Sequence, residues 1–286
     1  MSSHAGIRRV VGSRSTPREV LEPDGTCAAR TDLWLLRFRP LLRPRARLFC
    51  FPPAGGDANI FRDWQAALPV GVEVIGIQYP GRGRNQEPLL SKADDIVSAL
   101  LTLLPPSLDL DYAFFGHSNG ALLAFELARS LGSEHRERLR HQFVSASPAP
   151  HLPRVRRGLS GLSDEEVLRK VRDMGGTPPA LLADAELMRR LLPRLRADFE
   201  VGDAYVFRPG RRLACELTLL RGSLDRAVDE SRVSRWAELT TGRCKEHVIE
   251  GGHFFLTTHT PQVVELVGAT LSDRVLQQEP ERTVRS

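Results

Sequence analysis

A chain of 286 residues with 41% apolar composition is long enough to bury one large core or two small ones, and its formal charge of +5 is too modest and too widely spread to mark a nucleic-acid surface. No stretch approaches the roughly 18 apolar residues of a membrane span, and the N-terminus lacks a signal-peptide run, so the expectation is a globular, cytoplasmic protein that binds neither nucleic acid nor membrane. Cys27, Cys50, Cys215 and Cys244 lie far apart without metal-ligand spacing, which predicts reduced, mostly buried thiols and no metal.

In chain order, residues 1–30 are polar, have neither helical nor strand period, and read as a disordered tail; residues 276–286 read as a second flexible end. Between them, from 31 to 275, apolar runs of β type alternate with helical patterns. Strands are expected at "ARLFCF" (46–51), "EVIGIQY" (73–79), "YAFF" (112–115), "QFVSAS" (142–147), "ELTLL" (216–220) and "KEHVIE" (245–250). Helices are expected near 58–68, 92–104, 119–131, 229–239 and 261–274. Such alternation predicts an α/β domain with a mostly parallel central sheet flanked by helices. Residues 152–205 interrupt it without a strand. There Ser163 and Glu166 have capping-box spacing, and "DAELMRRLLPRLRADFEVGDAY" reads as one or two amphipathic helices broken at Pro193. A helical insertion at this place is where a lid would cover a site, although an ordinary helical excursion has the same pattern.

The stretch "FFGHSNGALLAFELA" (114–128) sets Ser118 between Gly116 and Gly120, at the junction of a strand and a helix. This is the GxSxG spacing of the nucleophile elbow of α/β-hydrolases, in which a strained turn lifts the serine hydroxyl above the sheet. Taken alone, the pattern fits a plain strand-to-helix turn equally well. A serine nucleophile also needs a base and a group to orient that base, in the chain order Ser, acid, His for this fold. Asp225 in "LTLLRGSLDRAVD" and His253 in "HVIEGGHFFL" each follow a buried strand and meet that order. Asp229 is the competing acid but looks like a helix N-cap, and His259 looks structural. For an oxyanion hole, Asn119 directly follows the serine. The loop "FCFPPAGGDANIF" offers Ala54, since Pro52 and Pro53 have no N–H.

The stretches "RLFCFPPAGGDANIFRDW", "IGIQYPGRGRNQEP", "FFGHSNGALLAFELAR", "LSDEEVLRKVRDMGGTPPALLADAELMRRLLPRLRADFEVGDAY", "GSLD" and "EGGHFFL" resemble, over about residues 33–275, the type II thioesterases, the freestanding editing enzymes of polyketide and nonribosomal peptide assembly lines. The resemblance implies an α/β-hydrolase fold with Ser118 as nucleophile, His253 as base, Asp225 as orienting acid, Ala54 and Asn119 as oxyanion donors, and residues 152–205 as a lid over the acyl chamber. It implies no cofactor: the acyl group would arrive on the phosphopantetheine of an acyl or peptidyl carrier protein domain. Separately from the resemblance, a monomer is expected. The chain departs from the family where Pro53 often gives way to His and Asn119 to Met or Leu. Both donors act through the backbone, so these departures bear on pocket polarity rather than on the triad.

The implied reaction is hydrolysis of mis-primed or stalled acyl groups. A product-releasing thioesterase, which is usually fused behind a carrier domain, a generic serine esterase, and a catalytically silent carrier-binding protein remain as alternatives; Met1 and the lack of an upstream carrier domain speak for the freestanding kind. Carrier proteins are usually acidic, so Arg82, Arg84, Arg154, Arg156 and Arg157 are expected to form a docking surface.

Overall fold

The computed structural model describes residues 25–153, 158–159, 161–177, 179–226 and 228–276. Seven strands form one sheet: β1 (Leu35–Arg37), β2 (Ala46–Phe51), β3 (Val72–Ile77), β4 (Asp111–His117), β5 (Leu139–Ser145), β6 (Glu216–Gly222) and β7 (Cys244–Ile249). Their spatial order is β1-β3-β2-β4-β5-β6-β7, parallel throughout except that β1 runs antiparallel to β3. The chain goes from β2 to one side for β3 and returns to the other side for β4. The ends of β2 and β4 therefore flank a topological switch point, where an open α/β sheet has its crevice.

Burial on both faces explains why the strand sequences are nearly continuous apolar runs. In β2, Phe49 and Phe51 pack on one face with helices α2 (Ala93–Leu103) and α3 (Asn119–Ser130), while Leu48 and Cys50 face the opposite layer. That layer holds Trp64, Phe115, Phe143 and the last long helix. A short α4 (Ser133–Arg136) leads into β5.

The insertion carries α5 (Asp164–Asp173), α6 (Pro179–Ala183) and α7 (Ala185–Asp203). The capping box at the start of α5 is present in full: the Glu166 N–H donates to Ser163 Oγ, and the Glu166 carboxylate accepts the Ser163 N–H at 2.8 Å. α7 is one helix that runs through Pro193 instead of breaking there. Pro193 lies on the exposed face, while Leu192, Leu195 and Phe199 on the other face pack with Val167 and Val171 into a separate small core. That packing anchors both halves of the helix although Pro193 removes one hydrogen bond. Then come α8 (Glu230–Val233), α9 (Phe255–Thr258) and α10 (Thr260–Leu271).

Three expectations are corrected. Residues 25–30, read as tail, form the start of α1 (Gly25–Trp34), which is tied down where Arg30 and the Trp34 indole both donate to the Glu87 carboxylate, at 2.7 and 3.0 Å. The earlier tail residues, 1–24, lie outside the described residues, as do 277–286. The segments read as helices at 58–68 and 229–239 are largely 3₁₀ turns, Ala58–Phe61, Trp64–Ala67 and Ser234–Leu239. Across these stretches, and counting Val233 at the end of α8, buried residues recur every third position (Ala58, Phe61, Trp64; Val233, Trp236, Leu239), which suits three residues per turn.

Candidate active site

At the end of β4 the backbone turns through Ser118 with φ 53° and ψ −117°, a left-handed conformation that a residue with a Cβ adopts only under strain. The flanking glycines are required by packing. A Cβ on Gly116 would lie 2.4 Å from Ala121 Cα, and one on Gly120 would lie 2.1 Å from the Phe51 carbonyl oxygen. The turn is held by the Ser118 N–H, which donates to the Ser145 carbonyl at 2.8 Å.

The loop after β7 brings His253 to the serine, with Nε2 3.1 Å from Ser118 Oγ. The loop after β6 brings Asp225, whose Oδ2 lies 2.7 Å from His253 Nδ1. The Asp225 carboxyl is fully shielded from solvent, while the imidazole keeps a small exposed edge, 13% of its side chain. A carboxylate at Nδ1 keeps the proton on that nitrogen, which leaves Nε2 as an acceptor facing the hydroxyl. Three residues spread over 135 positions of the chain thus meet in the order that proton abstraction requires. Asp229 is elsewhere: it caps α8, accepting the Arg232 N–H at 3.0 Å, and its hydrogen bond from the Ser231 hydroxyl helps hold its pKa below the usual carboxylate range. His259 lies before α10, with Nδ1 at 2.9 Å from Thr258 Oγ1.

Ala54, on the loop after β2, lines the same cleft as Ser118. Asn119 is the first residue of α3, one of the positions whose N–H has no partner within the helix. The cleft has a volume of about 570 Å³ and lies between the sheet and the insertion, with Met174 and Phe199 from the insertion facing Leu224 and Phe254 from the loops. Behind it, a smaller chamber of about 150 Å³ is walled mainly by apolar side chains, including Met188, Leu191 and Leu195 of α7. Arg194 also reaches this chamber; its burial, and after that the nearby Arg82 charge, lower its pKa. Among the described residues no group of His, Cys, Asp or Glu is placed to hold a metal.

Sequence reasoning missed two neighbours of the site. His117, directly before the serine, is buried, with Nδ1 2.8 Å from Ser145 Oγ and Nε2 3.0 Å from the His253 carbonyl, so it braces the backbone of His253. Asp198 of α7 is buried against the Ala54 loop. Among the arginines expected to dock a partner, Arg82 is instead enclosed: it is 2% exposed and pairs with Asp198, because the loop that carries it folds inward against the Ala54 loop. Arg84 is exposed. Arg154, Arg156 and Arg157 lie outside the described residues.

With this geometry in place, comparison with known proteins gives consistent results. A family model described as a thioesterase domain matches residues 46–271. The chain is 35% identical over 243 residues to the gramicidin S biosynthesis protein GrsT of Aneurinibacillus migulanus, covering 85% of this chain and 95% of that one. It is 37% identical over 242 residues to a Brevibacillus parabrevis protein named linear gramicidin dehydrogenase LgrE, covering 83% and 92%. Among solved structures, the type II thioesterase BorB from the borrelidin biosynthetic cluster superposes with a TM-score of 0.76 at 34% identity, covering 84% of this chain and 98% of that one.

Proposed function

We propose, from the premise that this chain belongs to the thioesterase family, that it is an editing thioesterase that removes acyl groups from the phosphopantetheine thiol of carrier proteins in polyketide or nonribosomal peptide synthesis. The single observation that carries the reading is the contact series Ser118–His253–Asp225 at 3.1 and 2.7 Å, opening into a cleft of mostly apolar surface beneath the helical insertion.

In the proposed reaction, His253 Nε2 takes the Ser118 proton while Oγ attacks the thioester carbonyl carbon. The carbonyl oxygen becomes an oxyanion that accepts hydrogen bonds from the Ala54 and Asn119 N–H groups. Collapse of this intermediate breaks the C–S bond, and the thiol sulfur leaves with the proton from His253. Water then attacks the acyl-serine ester as His253 takes one of its protons, and a second collapse returns that proton to Ser118 and frees the carboxylic acid. Asp225 stabilises the imidazolium formed in each half. No cofactor enters these steps. A freely diffusing monomer of the cytoplasm that meets carrier domains one at a time suits the role.

The dehydrogenase activity in one relative's name finds no support at the elbow. A dinucleotide-binding turn presents glycine backbone to a pyrophosphate. Here the space beside Gly116 and Gly120 is filled by Ala121 and by the Phe51 carbonyl. The test is to incubate the purified chain with carrier proteins loaded with a panel of acyl groups and to follow their mass. Release of acyl groups, with the carrier returned to its free-thiol mass, is the expected result. Unchanged carriers across the panel, alongside rapid hydrolysis of simple carboxylic esters, would assign the chain to the generic esterases instead.

A further inference from the structure

Asp198 sits on the buried face of α7, 8% exposed, where a lone carboxylate requires an explanation. Its Oδ2 accepts the Gly55 N–H at 2.7 Å and a charge-assisted hydrogen bond from Arg82 Nη2. Its backbone carbonyl accepts from Asn119 Nδ2 at 2.8 Å. One residue of the insertion is therefore bonded both to the residue after Ala54 and to Asn119 itself. Arg82 extends the hold: Nε donates to the Gly56 carbonyl at 2.7 Å and Nη1 to the Pro80 carbonyl at 2.8 Å. From one turn earlier on α7, Arg194 donates to the Gly55 carbonyl at 3.0 Å. Gly55 itself has φ +76°, and a Cβ there would meet Leu195 at 2.8 Å, so the loop lies hard against α7.

From this arrangement we infer that Asp198, with Arg82 as its partner, is a positioning residue that sets the distance between the two oxyanion donors and ties their placement to the helical insertion. The inference rests on the reading of Ala54 and Asn119 as those donors. The bond to Gly55 fixes the plane of the Ala54–Gly55 peptide and occupies the Gly55 N–H, so the loop offers the cleft the Ala54 N–H. The bond to Asn119 holds the start of α3 at the same residue. Donors act only within about 2.7–3.1 Å of the developing oxyanion, and a displacement of about 1 Å lowers the rate on the order of a hundredfold. Stability is a weaker account of the pair, since a buried ion pair is commonly no more stabilising than apolar residues of its volume.

The test uses the full chain and an acyl-N-acetylcysteamine thioester, measuring kcat and KM separately, together with the affinity for an acyl trifluoromethyl ketone, which forms an oxyanion on the serine. Asp198→Ala is expected to lower kcat by about 10- to 100-fold with KM within about threefold, and to weaken the ketone by a similar factor. Asp198→Asn keeps an acceptor oxygen for Gly55 and should recover kcat to within about fivefold of wild type. Asn119→Leu, which removes one bond and leaves the ion pair intact, should lower kcat and ketone affinity together by about 3- to 10-fold. If Asp198→Ala does not fold, the Asn119→Leu and Asp198→Asn results decide. A kcat for Asn119→Leu within twofold of wild type, or losses in the Asp198 variants that merely follow their folded fraction, would overturn the inference. Full activity of Ser118→Ala would instead remove the underlying reading, whereas a dead Ser118→Ala beside a fully active Asp198→Ala removes the positioning role alone.

Discussion

Replacing Asp225 with Asn isolates the electrostatic part of the proposed triad. The carboxyl is fully shielded and its Oδ2 lies 2.7 Å from His253 Nδ1, so an amide of the same shape fits without a cavity. The amide can present its NH₂ to Nδ1, which moves the imidazole proton to Nε2 and points a donor at a hydroxyl that needs an acceptor. It also removes the negative charge that stabilises the imidazolium. In triads of this kind the change costs on the order of 10⁴ in rate, about 5 kcal/mol of transition-state stabilisation. Asp229→Asn is the matched control. It keeps an N-cap of equal quality on an exposed turn, and its effect should stay within about 0.5 kcal/mol of stability and twofold in rate. Thiol release from an acyl-N-acetylcysteamine, read with a chromogenic disulfide, gives kcat/KM for both variants. A loss below tenfold at Asp225, or a large loss at Asp229, would refute the assignment of the acid.

Ser118→Ala should abolish turnover, by about 10⁴-fold or more, while relieving the strain of a positive φ only slightly and leaving the melting temperature near that of wild type; residual activity within a few-fold would refute the nucleophile. Gly120→Ala places a Cβ 2.1 Å from the Phe51 carbonyl, which is backbone and cannot swing aside, so loss of several kcal/mol or insoluble expression is expected, and a melting temperature within a few degrees of wild type would contradict the packing. Burial, with a further push from the Arg274 charge, lowers the His141 pKa to about 4, so the native ring stays neutral while the unfolded chain takes up a proton below about 6.5. Its contribution therefore falls as pH drops from about 6.5 to about 4, by roughly 3 kcal/mol, and urea midpoints at pH 7 and 4.5 should fall further apart in wild type than in His141→Gln. Raising salt from about 50 to about 500 mM should lower kcat/KM several-fold for acyl-carrier substrates and hardly at all for the small thioester; equal effects would remove electrostatic docking.

What was legible in the sequence followed from residue types that have few uses. Parallel strands buried on both faces produce apolar runs such as "ARLFCF", and β2 occupies those residues, Ala46–Phe51. The elbow glycines were legible because no other residue fits where a Cβ would strike backbone. Asp225 and His253 were legible because each directly follows a strand whose end lies over the site. β1 was missed because three residues, Leu35–Arg37, are too few to show a period. The 3₁₀ segments were read as α-helices because spacing by threes is part of both patterns.

The misreading of Arg82 has a different origin and points to the missed partner. An arginine in a loop reads as solvent-facing unless its counter-ion is known, and the counter-ion here lies 116 positions away. Yet the partner left a trace. On α7 the buried stripe passes through Leu195, Asp198, Phe199 and Gly202, at i, i+3, i+4 and i+7, so one carboxylate falls on an otherwise non-ionisable face. Such a residue must be paired in the folded chain, because an isolated buried charge costs more than the helix gains by packing. The buried carboxylate on this face calls for a buried cation elsewhere, and the loop with Arg82 supplies it. The same reasoning separates Asp198 from Glu186 or Asp164, whose carboxylates are themselves exposed, so that their pairs with arginines contribute little. The polar residue on the apolar stripe, not the number of charges in a segment, marks where the insertion bonds to the residues around Ser118.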